Sequence, residues 1–131
     1  MICSKQFLDF YNSTFEYIGE KYGYHALCDY WKHISKTTLA DLKECVEKDG
    51  LSGCFRYWTT TLPAEGAQYK ITLNGKFILE ILECPSIKHL GDRAYRHYCD
   101  HCAVMYQEVF KELGYDYTIE IGETCTIEVS K

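Results

Sequence analysis

Tyr69-Lys70-Ile71-Thr72-Leu73-Asn74-Gly75-Lys76-Phe77-Ile78-Leu79-Glu80-Ile81-Leu82-Glu83-Cys84 carries the sharpest change of pattern in this chain. Two runs rich in aromatic and branched residues flank Asn-Gly, the strongest short-range signal for a β-hairpin. A two-residue turn pairs Leu73 with Lys76, Ile71 with Ile78 and Tyr69 with Glu80. Residues 77–82 are apolar on both faces apart from Glu80, the pattern of a central strand covered on two sides. Pro85 then ends the strand, because proline has no N–H for the ladder.

Before this hairpin the period is helical. Leu8, Tyr11, Phe15, Ile18 and Tyr22 recur at steps of three and four, one apolar stripe on a helix over residues 5–22. Gly23 breaks it, and a second helix over 24–35 carries Leu27, Tyr30, Trp31 and Ile34. A third holds Leu39, Leu42 and Val46 and stops at Asp49-Gly50. A fourth, over 51–62, buries Leu51, Phe55, Trp58 and Leu62 and ends at Pro63. After the hairpin, residues 93–113 form a long helix with Tyr95, Tyr98, Cys99, Cys102, Tyr106, Val109, Phe110 and Leu113 in one stripe, capped by Gly114. A second hairpin follows over 115–121 and 124–129. Here a three-residue loop, Gly122-Glu123-Thr124, pairs Ile121 with Cys125, Ile119 with Ile127 and Tyr117 with Val129, and we choose it because register follows the buried face. The expected architecture is α+β. A helical part, 1–63, precedes a ββαββ part, 64–131, with a four-stranded antiparallel sheet, all in one domain.

The chain has 131 residues, a net charge of −5 and twelve Tyr, six Phe and two Trp. No basic stripe is present, which argues against a nucleic-acid partner. No apolar run approaches the ~20 residues that span a bilayer. Met1-Ile2-Cys3-Ser4-Lys5-Gln6 lacks a charged region followed by an apolar one, so we expect no signal peptide and a cytoplasmic protein. On that basis its eight cysteines are expected to be reduced.

Four of them fall at the joints of the last fifty residues. Cys99 and Cys102 are three apart on one helix stripe, about 5–6 Å between Cβ atoms, wider than a disulfide's 3.5–4.5 Å. Cys84 ends the central strand and Cys125 faces inward. Cys84, Cys99, Cys102 and Cys125 can therefore be core hydrophobes, ligands of a divalent metal, or a nucleophile with its supports. In the last case Cys99 or Cys84 attacks, and Glu80 or His101 is the base. Glu80 is otherwise a carboxylate at an open sheet face, and His97, His25 and His33 read as surface or structural residues. His89 sits in a loop after Cys84, where sites collect. Arg56, beside Tyr57 and Trp58, is either a carboxylate clamp or a surface arginine. Tyr98, Tyr95, Tyr106, Trp58 and Phe77 are candidate walls of a ligand cavity, with Tyr69 beside Glu80.

The order Cys84-Pro85, Leu90, a helix bearing Tyr98-Cys99-Asp100-His101-Cys102, then Gly114 and a last hairpin with Cys125 resembles the L-2-amino-thiazoline-4-carboxylic acid hydrolase-like family. The resemblance covers residues 39–129 and is strongest from residue 78 onward. It implies an intracellular α+β domain that opens a cyclic thiazoline amidine by water attack, giving an N-carbamoyl amino acid. The family's strand-end Cys-Pro matches Cys84-Pro85, its mid-helix cysteine Cys99, and its last-strand cysteine Cys125. Where the family tends to carry an acid, this chain has Cys102.

Two functions follow as expectations. One is a small hydrolase acting on a carbon–nitrogen bond in a cyclic amidine or amide. The other is a non-catalytic module holding a small molecule, or a metal, in an aromatic and cysteine-lined pocket. A homodimer through a sheet edge at 69–73 or 125–129 is a further expectation.

Overall fold

The computed structural model describes residues 5–131; Met1 to Ser4, and with them Cys3 and most of the leader reading, lie outside the described residues. Four helices come first: α1 (Lys5–Tyr22), α2 (Tyr24–Thr38), α3 (Ala40–Asp49) and α4 (Leu51–Glu65). Strands β1 (Gln68–Leu73) and β2 (Phe77–Glu83) follow, then a short helix α5 (Pro85–Leu90), a 3-10 turn (Gly91–Arg93), and α6 (Asp100–Leu113). β3 (Asp116–Glu120) and β4 (Cys125–Ser130) close the chain. This is an α+β fold whose four strands form one antiparallel sheet in the order β1-β2-β4-β3.

The sheet is registered by three apolar rows on its inner face. Ile71, Leu79, Ile127 and Ile119 stand side by side, as do Leu73, Phe77, Val129 and Tyr117; Tyr69, Ile81 and Cys125 make the third row. α4 and α6 pack on this face, α2 packs on α6, and α1 packs on α2 and α5. Trp58 of α4 stacks on Phe77 at 5.3 Å and 15°, and Phe110 of α6 stacks on Tyr117 at 5.5 Å and 8°. The core therefore sits between helices and sheet. The opposite face, with Lys70, Thr72, Ile78, Glu80, Thr126 and Glu128, has no helix on it among the described residues, and Leu82 beside it is 48% exposed.

Several expectations are corrected. The first hairpin has a three-residue loop, so Leu73 pairs with Phe77, Ile71 with Leu79 and Tyr69 with Ile81. An Asn-Gly turn of the two-residue type needs positive φ at both residues; among the described residues only glycines, Gly75 included, adopt it. β2 is central but covered on one side only. The second hairpin has the expected register, with Ile119 against Ile127 and Tyr117 against Val129. β4 is thus an interior strand, and 125–129 is no edge for a dimer, whereas β1 is an edge.

Pro63 lies inside α4 rather than after it. The helix runs one more turn, to a left-handed Gly66 whose N–H reaches Pro63 O while Ala67 N–H reaches Leu62 O, a Schellman end. Pro85 likewise starts α5 at a first-turn position, where a missing N–H is harmless, so residues 86–90 are helical rather than loop. The long helix expected from residue 93 begins only at Asp100. Before it, Tyr98, Asp100, His101 and Cys102 donate their N–H groups three residues back, to Tyr95, His97, Tyr98 and Cys99. The cause is Asn12 of α1. Its side chain accepts the Tyr95 N–H at 2.7 Å and donates to Arg93 O at 3.0 Å, fixing that stretch in a non-helical conformation.

Candidate functional site

Two adjoining cavities open between the helices and the inner sheet face. The first, about 160 Å³, is a partly open cleft lined by α1, α4, α6 and the sheet. Its walls include Leu8, Tyr11, Tyr57, Trp58, Met105 and Tyr106, with Thr38, Asp41, Thr61 and Glu65 among the polar residues. The second, about 360 Å³, lies between α5, the start of α6 and the ends of β2, β3 and β4, and all of Cys84, Cys99, Cys102 and Cys125 line it. Ile81, Cys84, Ser86, Tyr98, His101, Cys102 and Ile119 belong to both. Local folding explains the arrangement: β2 ends at Cys84, β4 begins at Cys125, and the tight lead-in to α6 turns Tyr98, Cys99, His101 and Cys102 toward them.

His101 and Cys102 form the common wall. His101 Nδ1 meets the Tyr98 carbonyl oxygen, an acceptor only, so Nδ1 carries the proton and Nε2 the lone pair. That Nε2 lies 3.6 Å from Cys102 Sγ. The imidazole is enclosed by Phe15 at 5.5 Å, Tyr98 at 4.9 Å and Trp31 at 6.5 Å. Burial among these rings lowers its pKa below the ordinary value, against the opposing pull of the Tyr98 carbonyl and Asp100. His101 is therefore a neutral imidazole near pH 7. Both side chains lie deep in the protein yet keep accessible surface, and that surface faces the cavities.

The thiols are held protonated. Burial pushes Cys102 up to about 12, with Glu65 adding to it. Burial also pushes Cys99 up to about 12, with Cys102, Cys84 and Cys125 adding. Cys84 and Cys125 are raised for the same first reason, burial, partly offset at Cys84 by the Ile87 amide and at Cys125 by that of Gly122. A helix N-terminus normally lowers a nearby thiol. Cys99 sits at the start of α6 without that benefit, because the amides of Asp100, His101 and Cys102 are already bonded three residues back.

The four cysteines line one cavity. Among the described residues no group of three or more His, Cys, Asp or Glu side chains is placed to hold a metal ion. The expectation of a divalent metal on Cys84, Cys99, Cys102 and Cys125, which needs thiolates about 2.3 Å from one point, gains no support from this arrangement. The seven described cysteines are all free.

Other candidates lie elsewhere. Glu80 stands on the open sheet face between Lys70 and Thr126, away from both cavities, because the three-residue loop turns it outward. Arg56 pairs with Asp49 at 2.8 Å on the surface. His89 Nε2 bonds Asp9 at 2.9 Å and ties α5 to α1. Tyr69 packs half-buried opposite Ile81 without lining either cavity. Of the expected walls, Tyr98, Trp58 and Tyr106 line the first cavity. Phe77 lies under Trp58, and Tyr95 packs on Gly19 of α1. Sequence reasoning missed Leu8, Tyr11, Thr61, Glu65 and Met105. Tyr57, Thr61 and Glu65 are one stripe at steps of four on α4, and a helix that stops before Pro63 leaves out Glu65.

A charged aromatic disulfide reagent checks the thiol states. Cys84, Cys99, Cys102, Cys125 and the core residue Cys54, itself pushed to about 12 by burial, should react at least about tenfold more slowly in the native protein than in denaturant. Fast native labelling of Cys99 or Cys84 would mean an activated thiolate that this arrangement does not provide.

No protein-family model, curated protein or solved structure matches this chain. Among the described residues no helix is long and apolar enough to cross a membrane.

Proposed function

We propose that the protein is a binding module for a small, neutral, largely apolar ring. The first cavity carries this reading. At about 160 Å³ it is close in size to an engineered apolar cavity of about 150 Å³ that holds benzene. Its walls are mainly aromatic and aliphatic, with a smaller number of polar groups, the usual composition of a ligand site. Among the described residues that line it there is no lysine or arginine; the carboxyl groups are Asp41 and Glu65. A ligand bearing a carboxylate, such as the thiazoline acid implied by the resemblance, would meet no cation there.

Hydrolysis by an attacking thiolate has less support. It asked for Cys99 or Cys84 as nucleophile and Glu80 or His101 as base. Burial keeps both thiols protonated, Glu80 faces the other side of the sheet, and the His101 Nε2 is directed at Cys102. Binding needs neither group to change state.

Calorimetry with toluene and benzoate tests the proposal, since the two share one ring and differ in charge. Toluene should bind with measurable heat, and benzoate should bind at least about tenfold more weakly, a carboxylate without a partner being costly to bury. Met105→Trp, which places an indole in the cavity, should abolish the toluene signal while the far-ultraviolet spectrum stays native. Absence of toluene binding to the wild-type protein, or benzoate binding as tightly as toluene, would overturn the reading.

A further inference from the structure

A buried imidazole whose lone pair is aimed at a buried thiol, both facing a cavity, is more than binding requires. A wall that only packs against a ring is adequately made of leucine and phenylalanine. We propose that Cys102 is a nucleophile toward a cavity-bound electrophilic alkene, an α,β-unsaturated ketone or aldehyde with a small apolar ring or chain, and that His101 Nε2 takes the thiol proton. The inference rests on the reading that the first cavity holds a small neutral molecule, and names the class of molecule with which it reacts.

The geometry selects this chemistry over its rivals. Cys102 Sγ and His101 Nε2 are 3.6 Å apart with the imidazole in the tautomer that can accept. Both are neutral at rest, so the pair does not react as a preformed thiolate. The proton leaves sulfur only as sulfur bonds to carbon, which needs a reactant held in place. Acyl transfer would put a negative oxygen on the attacked carbon itself, next to Sγ. The backbone amides of Asp100, His101 and Cys102 are all committed to tight turns, so these three offer no oxyanion hole beside the sulfur. Conjugate addition instead moves charge to a carbonyl oxygen three bonds beyond the attacked carbon. Tyr106 lines the same cavity, and burial holds its hydroxyl protonated, so the side chain can supply a donor.

The step balances without an oxidant or a second reactant. The Sγ–H bond breaks and its proton goes to Nε2; a bond forms between Sγ and the β-carbon; the alkene π pair moves onto the enolate. The imidazolium then returns the proton to the α-carbon. The product is a saturated thioether ketone on Cys102 with His101 neutral again.

The full chain incubated with 2-cyclohexen-1-one, followed by intact mass and peptide mapping, tests this. One adduct at Cys102 is expected, with a rate that saturates as probe concentration rises, because binding precedes capture. Cys102→Ala should remove that adduct. His101→Asn should slow it about a hundredfold, the usual worth of a positioned base, and also abolish the rise of rate with pH near the imidazole's titration. A folded His101→Asn protein that reacts at the wild-type rate overturns the proposal, as does labelling confined to other cysteines or a rate strictly linear in probe. Cyclohexanone, the saturated ketone, separates the two levels. If it binds and cyclohexenone gives no Cys102 adduct, the nucleophile fails while the cavity stands; if cyclohexanone and toluene both fail to bind, the cavity reading itself falls. If His101→Asn does not fold, Tyr106→Phe supplies the second test, with an expected slowing of at least about tenfold from loss of the hydroxyl donor.

Discussion

Gly53→Ala is expected to destabilise the protein by about 3 kcal/mol, at the upper end of what overpacking costs, and to lower Tm by about 10 °C. α3 and α4 are joined through Gly50 alone and fold back on each other as a tight helical hairpin. Gly53, in the first turn of α4, is buried against the last turn of α3. A Cβ built there would lie 2.0 Å from Cys45 O, 2.5 Å from its carbonyl carbon and 2.9 Å from Val46 N. These are backbone atoms inside a helix, so no rotamer change makes room, and the two helices have to separate. The sign is diagnostic. At an exposed helix position, glycine to alanine stabilises by about 1 kcal/mol, so a stabilised variant in urea unfolding would show that the helices do not touch here. A second consequence reaches the cavity, because α4 carries Tyr57, Trp58, Thr61 and Leu62 of its wall. Moving α4 outward should weaken toluene binding in parallel with the loss of stability.

Which parts of this molecule could be read from its residues follows from how local the deciding interactions are. The stripe Leu8, Tyr11, Phe15 repeats within one helix, and α1 has the boundaries its periodicity implies. Both hairpins were visible, but only the second was registered correctly. There the alignment of buried faces decided the loop length; in the first, the Asn-Gly pair was allowed to decide it. Applying the same burial argument to Ile71 and Leu79, which both face the core, gives the observed three-residue loop. Pro63 was over-read for a similar reason: proline forbids a helical hydrogen bond at its own nitrogen, yet α4 ends only one turn later. The convergence of Cys84, Cys99, Cys102 and Cys125 on one cavity was legible from strand ends and helix face. That the cavity stays open, and that Cys102 rather than Cys99 meets the histidine, was not. A stripe that lines a void and a stripe that fills a core have the same period, and the difference lies in volumes contributed by α1, α4 and α6 together.

The start of α6 is the clearest case of a long-range contact overruling a local pattern, and it supports the second large prediction. Residues 93–113 carry an unbroken helical stripe, but Asn12, 8% exposed and 81 residues before Arg93, holds Arg93 O and the Tyr95 N–H. Asn12→Leu keeps the side-chain size and removes both bonds. Each buried backbone group left without a partner costs about 1–3 kcal/mol, so a loss of about 3 kcal/mol is expected in urea unfolding. The released segment is then free to follow its own periodicity. Helical chemical shifts should spread from Asp100 back toward Arg93, and the Tyr95 amide should exchange with solvent at a rate far above that of the wild type. Rewinding this segment also rotates His101 and Cys102 away from their shared wall, because the Tyr98 carbonyl that fixes the imidazole tautomer belongs to it. Toluene binding should therefore fall further in Asn12→Leu than in a core variant of equal stability remote from α6, such as Val46→Ala. Equal binding in the two would mean that the clamp contributes to stability alone and that α6 positions the imidazole–thiol pair without it.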